Sequence, residues 1–447
     1  MTVFLNNQKV KEEITAAIFQ QAEALTSKVV KSSPRERPDW EKKIDDILTS
    51  PIWGFPVMFI LLGLIFWITL VGANIPSALL GKAFSGLEVR LTAFCIQIGV
   101  PQWVHGLLLS GVYRTTTWVI AVMLPPMAIF FPLFTFLEDI GYLPRAAFNL
   151  DCFFKKAGTQ GKQALTMSMG FGCNAVGVVS CRIIESPRER LISILTNVFT
   201  PCNGRLPTLV LLARLATMGI TSPRLHSLAS AALVAGMVVI GIAVTFLISW
   251  GFSKTFLKGV PSFFILELPP YRLPHWKQVL VRSLIDRTLV VLGRAITIAA
   301  PAGAITWLLA NTSFGNTSLL LSGAQLLQPI GQLLGLDGFI LMAFILGLPA
   351  NEIVLPILLM GYLSSRTMVD LEGLKTISEI LHTHCWTPLT AFNMMLFSLL
   401  HFPCSTTIWT IYRETGSLKW TLLGVVVPTL VAATACLLTT TLHRLLM

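Results

Sequence analysis

Apolar residues in this chain run in long blocks. Blocks at 57–73, 116–137, 225–250, 288–310, 339–362 and 422–442 approach or exceed the length that crosses a bilayer as a helix, about 20 residues. Three weaker blocks, 164–181, 191–212 and 388–400, are interrupted by polar residues. The pattern predicts an all-α polytopic membrane protein with roughly eight to ten membrane segments. Residues 1–50 are polar and read as an arm: a helix over 10–30, a charged linker around 33–38 and a short amphipathic approach at 42–48. Pro51 and Pro56 bracket the start of the first span, where a first helical turn tolerates proline.

The membrane part divides into two comparable halves. Each starts with a long apolar helix, continues through a segment broken by Gly or Pro and ends in a Pro-Cys element. In the first half these are Gly170-Phe171-Gly172-Cys173-Asn174 and Pro201-Cys202-Asn203-Gly204; in the second, Leu348-Pro349-Ala350-Asn351-Glu352 and Pro403-Cys404-Ser405. Paired interrupted segments point to a transport site, because breaks free carbonyls and helix ends at membrane depth. Kinked packing helices are the competing reading.

Composition agrees: of 447 residues 54% are hydrophobic and 12% charged, and mean hydropathy is +0.72. The net charge is +11, and the arm holds Lys9, Lys11, Lys28, Lys31, Arg35, Arg37, Lys42 and Lys43, although as many acidic residues balance them there. Such an arm reads as a topology determinant that keeps the amino end cytoplasmic, and not as a nucleic-acid surface. A second basic stretch, 254–287, conflicts with this, since counting the clear spans puts it on the opposite side. The eight cysteines form no Cys-x-x-Cys pair and are expected to be single, reduced thiols.

Some polar residues stand where apolar ones belong. Glu352 lies inside an apolar run with Pro349 before it and Pro356 after it. Charge at that depth is costly and marks an ion or proton path, or else a carboxylate neutralised by an arginine. Cys173, Cys202 and Cys404 each sit at a break, beside Asn174, Asn203 and Ser405. As thiolates they would be soft ligands for a first-row transition metal; as thiols they would be small buried hydrophobes. Asn174, Asn351 and Ser405 are second-tier path residues. Glu138 and Asp139 close a proline-rich helix, either as an ion-access site or as a solvated helix end. Arg182 with Glu185, and Arg205 beside Cys202, read as internal charge partners. His382 and His384 do not share a helical face and make only a weak metal pair. The sequence has no Gly-x-x-x-x-Gly-Lys-Ser/Thr phosphate loop, no His-Glu-x-x-His and no Gly-x-Ser-x-Gly, so no catalytic residue, bound cofactor or enzyme activity is expected.

At these motifs the sequence resembles the membrane portion of the ferrous-iron transporter B (FeoB) family. The likeness is carried by Leu137-Glu138-Asp139-Ile140-Gly141-Tyr142 with Arg145, by Gly170 to Asn174, and by Cys202 with Arg205-Leu206-Pro207. It continues in Glu267-Leu268-Pro269-Pro270-Tyr271-Arg272-Leu273-Pro274, and in Phe402-Pro403-Cys404 followed by Arg413-Glu414-Thr415-Gly416-Ser417 and Trp420. The resemblance implies two nucleoside-recognition-type gate repeats at 118–215 and 295–415. They would be flanked by an arm at 1–50, first membrane segments at 51–117, a connector with one helix at 216–290 and a carboxyl-terminal helix at 416–447. It implies Fe2+ as substrate, a path through Cys173, Cys202, Cys404 and Glu352, and residence in a prokaryotic cytoplasmic membrane. It further implies gating by a GTPase, expected here as a separate subunit docking on 1–50 unless the chain is a shortened product or a paralogue that works without nucleotide, and a small FeoA-like cytoplasmic partner; a homo-oligomer is compatible with it. The sequence departs from the family in Ala175-Val176-Gly177, where a proline is usual, and in Asn351, where a lysine is common. Two rival readings are a gate-repeat carrier of another divalent metal or a nucleoside-like solute, and a non-transporting membrane partner.

Overall fold

The structure, a computed structural model, describes all residues except 1, 30–38, 51, 218–222, 259–270, 272–273, 315–316, 364–378, 382, 385 and 447. The 33–38 linker, Pro51, His382, Cys385 and most of the 267–274 motif therefore lie outside the described residues.

An arm helix, α1 (Thr2–Val29), and a short amphipathic helix, α2 (Asp39–Leu48), precede the membrane part. α3 (Gly54–Ile98) and α4 (Gln102–Ile140), of 45 and 39 residues, form an antiparallel hairpin. At about 1.5 Å per residue both exceed the ~30 Å hydrocarbon core and project beyond it. Their turn is set by Gly99, left-handed at φ 75°, with Pro101 following. α4 contains a π-helical stretch, Gly106–Tyr113. α5 (Tyr142–Lys156) returns to the face where α3 began, here called the near face: Asn149 Nδ2 donates to the Leu48 carbonyl at 2.6 Å.

From the near face α6 (Lys162–Gly172) runs inward, extended Cys173 breaks the helix, and α7 (Asn174–Ser180) runs back. The return is closed by Lys162 Nζ donating to the Ile183 carbonyl at 3.3 Å. This is a re-entrant hairpin with Cys173 at its tip. α8 (Pro187–Thr196) then enters, an irregular stretch follows, and α9 (Leu206–Ala216) continues to the far face. α10 (Pro223–Lys254) crosses back, ending where Arg188 Nη2 donates to Ser253 Oγ at 2.6 Å. α11 (Trp276–Asn311) crosses again beside α4. A Cβ on Gly106 or Gly111 would overlap Trp307, so these glycines allow the close approach.

After a two-residue-strand hairpin, β1 (Ser313–Phe314) and β2 (Thr317–Ser318), α12 (Leu319–Leu333) bends by 113° into α13 (Gly338–Leu346). α13 runs inward from the far face, Asn351–Ile353 forms a short 3-10 turn, and α14 (Val354–Tyr362) runs back. Tyr362 Oη donates to Asp337, closing the mouth of this second hairpin. α15 (Pro388–Leu400) enters, breaks at His401–Cys404, and continues as α16 (Ser405–Thr415) to the near face. α17 (Leu418–Leu446) follows.

Each half is thus a re-entrant hairpin followed by a broken span, and the second half is inverted relative to the first. Among the described residues six helices are long and apolar enough to cross a membrane, or seven if the bent α12–α13 pair counts as one. The 339–362 block, expected as one span, is instead a hairpin, because the break around Pro349 reverses the chain. The basic stretch 254–287 is also corrected. Tyr271 Oη donates to Asp45 at 2.8 Å and Arg287 pairs with Glu138 at 3.1 Å, so its described residues lie on the near face with α2. Counting the clear spans failed because it left out the broken α8–α9 crossing. The core follows the two halves: Phe130, Phe131, Phe134 and Phe171 pack around the first hairpin, and Leu209, Phe344, Met394, Met395 and Leu399 around the second.

Candidate functional site

The four breaks meet inside the protein. Ser405 N–H donates to the Leu348 carbonyl at 2.8 Å, and Ser405 Oγ to the Pro349 carbonyl at 3.5 Å, joining the second hairpin tip to the second broken span. In the first half Asn197 does the same work. It is fully buried, its Nδ2 donates to the Asn174 carbonyl at 3.2 Å, and it wedges between Gly170 and Gly177, where a Cβ would overlap it. Asn174 is buried beside it, with its amide against the Gly170 and Thr200 carbonyls.

The two halves are joined by Arg205. Its side chain is fully buried; Nη1 donates to the Val198 and Leu399 carbonyls at 2.9 and 2.7 Å, and Nη2 to those of His401 and Phe402 at 3.1 and 3.4 Å. Arg205 remains within electrostatic range of Cys202 as expected, and carbonyl clamping is added to this; among the described residues it makes no ion pair. Arg182 is also reassigned: it pairs with Glu414 at 2.7 Å, while Glu185 pairs with Lys162 at 3.1 Å.

Cys173 and Cys202 are buried and Cys404 is half-buried with Sγ 3.3 Å from Thr407 Oγ1. The three thiols lie within electrostatic range of one another, and Cys202 and Cys404 within range of Glu352. Glu352 rests directly on Gly204, where an added Cβ would fall on its carboxylate. That carboxylate lines a cavity of about 240 Å³ between α3, α4 and the first broken span, with Asn74, Ser77 and Asn203 as its other polar lining. Asn74 and Ser77, one helical turn apart on α3 just past the first apolar block, escaped the sequence reading. Their signal was two polar side chains on one face of a span.

In this conformation, among the described residues, no three His, Cys, Asp or Glu side chains are gathered as a ready-made metal cage. The thiols and the carboxylate are distributed one to each break. Asn351 is buried beside Glu352. Glu138 is exposed and held by Arg287, which also reaches Met169 Sδ at 3.7 Å, and Asp139 is half-buried at the same near-face helix end. His401 is fully buried in an aromatic stack with Phe344, Phe397 and Phe402, and His384 stacks on Tyr362 at 4.1 Å. The seven described cysteines are free. On the near face Asp45 accepts from Arg145 Nε at 2.7 Å, and Arg145 lies 3.9 Å over the Tyr271 ring. Burial, then the bond to Asp45, pushes the Tyr271 phenol up to about 12, so it stays a neutral donor there.

Residues 120–216 and 292–418, together half of the chain, match the nucleoside-recognition Gate family. Residues 234–286 match the family described as ferrous iron transport protein B C terminus. The chain is similar to the Fe(2+) transporter FeoB of Staphylococcus aureus strain MSSA476, at 30% identity over 92% of this chain and 60% of the relative. The same-named protein of Methanocaldococcus jannaschii is 28% identical over 90% of this chain and 59% of its own length. A Porphyromonas gingivalis Fe(2+) transport protein A/Fe(2+) transporter FeoB fusion protein is 26% identical over 89% of this chain and 51% of its length. The chain therefore spans between about half and two thirds of these relatives. No solved structure matches.

Proposed function

This chain belongs to the ferrous-iron transporter B family, to whose carboxyl-terminal membrane part its two Gate repeats and central segment correspond, and on that premise we propose that it carries Fe2+ across the membrane into the cytoplasm. The carrying observation is that four helix breaks, two from each inverted half, meet inside the protein and bring Cys173, Cys202, Cys404 and Glu352 to them. An ion that sheds its water passes from the Glu352 cavity to the thiols, with Asn174, Asn351 and Ser405 fixing the break geometry. Sulfur with one carboxylate suits a first-row transition metal better than Mg2+ or Ca2+. Fe2+ in place of Mn2+ or Co2+ rests on the relatives' names.

The arm and the basic stretch share the near face, which the positive-inside bias makes cytoplasmic. A GTP-binding unit, on the same or a separate chain, acts through the arm at Asp45, Arg145 and Tyr271. A protein resembling Fe(2+) transport protein A assists it, as the fused relative suggests. The test is uptake of radiolabelled Fe2+ into proteoliposomes. Cys202→Ser, Cys404→Ser and Glu352→Gln are each expected to lower uptake by about tenfold or more, one ligand's worth of binding free energy. Uptake unchanged in all three would sink the path assignment, and competition by nucleosides with indifference to metals would move the substrate to another class.

A further inference from the structure

Helix breaks at membrane depth ordinarily leave carbonyl oxygens free, and such oxygens are good ligands for hard cations such as K+, Mg2+ and Ca2+. Here the carbonyls at the junction of the two halves are already taken. Arg205 occupies those of Val198, Leu399, His401 and Phe402 at 2.7–3.4 Å. Ser405 N–H takes that of Leu348, and Asn197 that of Asn174. A guanidinium carries five N–H donors, and four of these are spent in this way. Arg205 Nε alone has no partner, and the residue's charge acts on Cys202 and Cys404.

A fully buried cation beside a cation path is costly and repels the substrate unless it has a task. Packing alone would be served by a neutral side chain. We propose that Arg205 is a specificity residue of the Fe2+ path: it masks the backbone oxygens of both halves and adds a fixed positive charge. Only a cation bound strongly by the remaining donors, the thiols and Glu352, then passes. Hard divalent cations lose the oxygens they need, and monovalent cations gain too little from sulfur to offset the repulsion. The inference rests on the proposed Fe2+ path and adds the residue that sets its selectivity.

The experiment compares Arg205→Met and Arg205→Lys with the parent protein in proteoliposomes, measuring Fe2+ uptake, its inhibition by excess Ca2+ or Mg2+, and Ca2+ uptake itself. The Met variant frees four carbonyls and removes the charge. Its discrimination between Fe2+ and Ca2+ is expected to fall by about tenfold or more, the scale of one charge-assisted hydrogen bond. Lysine keeps the charge but has a point-like head with three donors, so the Lys variant should fall between the two. A Met variant that elutes monodisperse and keeps the parental discrimination overturns the proposal. If the Met variant does not fold, the Lys variant decides: discrimination equal to the parent's overturns the proposal, and a partial loss supports it. A parent protein that takes up no Fe2+ would instead overturn the transport reading itself.

Discussion

Glu352 owes its position to a residue with no side chain. Gly204 leaves the space that its carboxylate fills, and a Cβ there would meet the flexible end of Glu352, not backbone. Gly204→Ala is therefore expected to displace the carboxylate from the cavity at small cost to folding. Thermal unfolding in detergent should stay close to the parent's, within about 1 kcal/mol, while Fe2+ uptake falls. A large loss of stability with uptake per folded molecule unchanged would contradict that account. Glu352 and the three cysteines were legible in the sequence because a charge in an apolar run, or a thiol at a proline or glycine break, stands out against its neighbours. Arg205 was visible beside Cys202, but its hydrogen-bond partners were not. Its partners are carbonyls up to 197 residues away, and a carbonyl has no letter in a sequence.

At the scale of elements, the re-entrant hairpins depend on contacts at their mouths as much as on the breaks at their tips. Tyr362 Oη donates to Asp337 and receives Trp386 Nε1 at 2.8 Å, while Asp337 also caps α13 through Ile340 N–H at 2.7 Å. Tyr362→Phe removes both bonds of the hydroxyl and leaves the Trp386 donor without this acceptor. The expected cost is about 1–3 kcal/mol, read as a lower unfolding midpoint in detergent. Trp386→Phe in the same background should add little, since the pair shares one interaction. Long uniform spans such as 225–250 were read correctly as single crossings. The 339–362 block passed the same length test yet folds back, because apolarity reports burial in lipid or protein alike and not direction. Only the hydrogen bond between its two ends shows that they share a face.

For the whole molecule, the near face gathers the arm, the basic stretch and the ends of both halves, and this makes a clean orientation test. Cys152, exposed on α5, belongs to the near face, and Cys95 lies at the far end of α3. In intact cells a membrane-impermeant maleimide is expected to label Cys95 in preference to Cys152, and inverted vesicles should reverse the preference; the opposite order would place the arm outside. The sequence by itself determined the class of protein, the existence of two halves and the residue types at the breaks, because hydropathy and odd polar residues are local properties. The tertiary structure decided which blocks reverse and which cross, on which face the basic stretch lies, and what holds Arg205. Those depend on pairings between residues far apart in the chain, which the low dielectric of the interior strengthens.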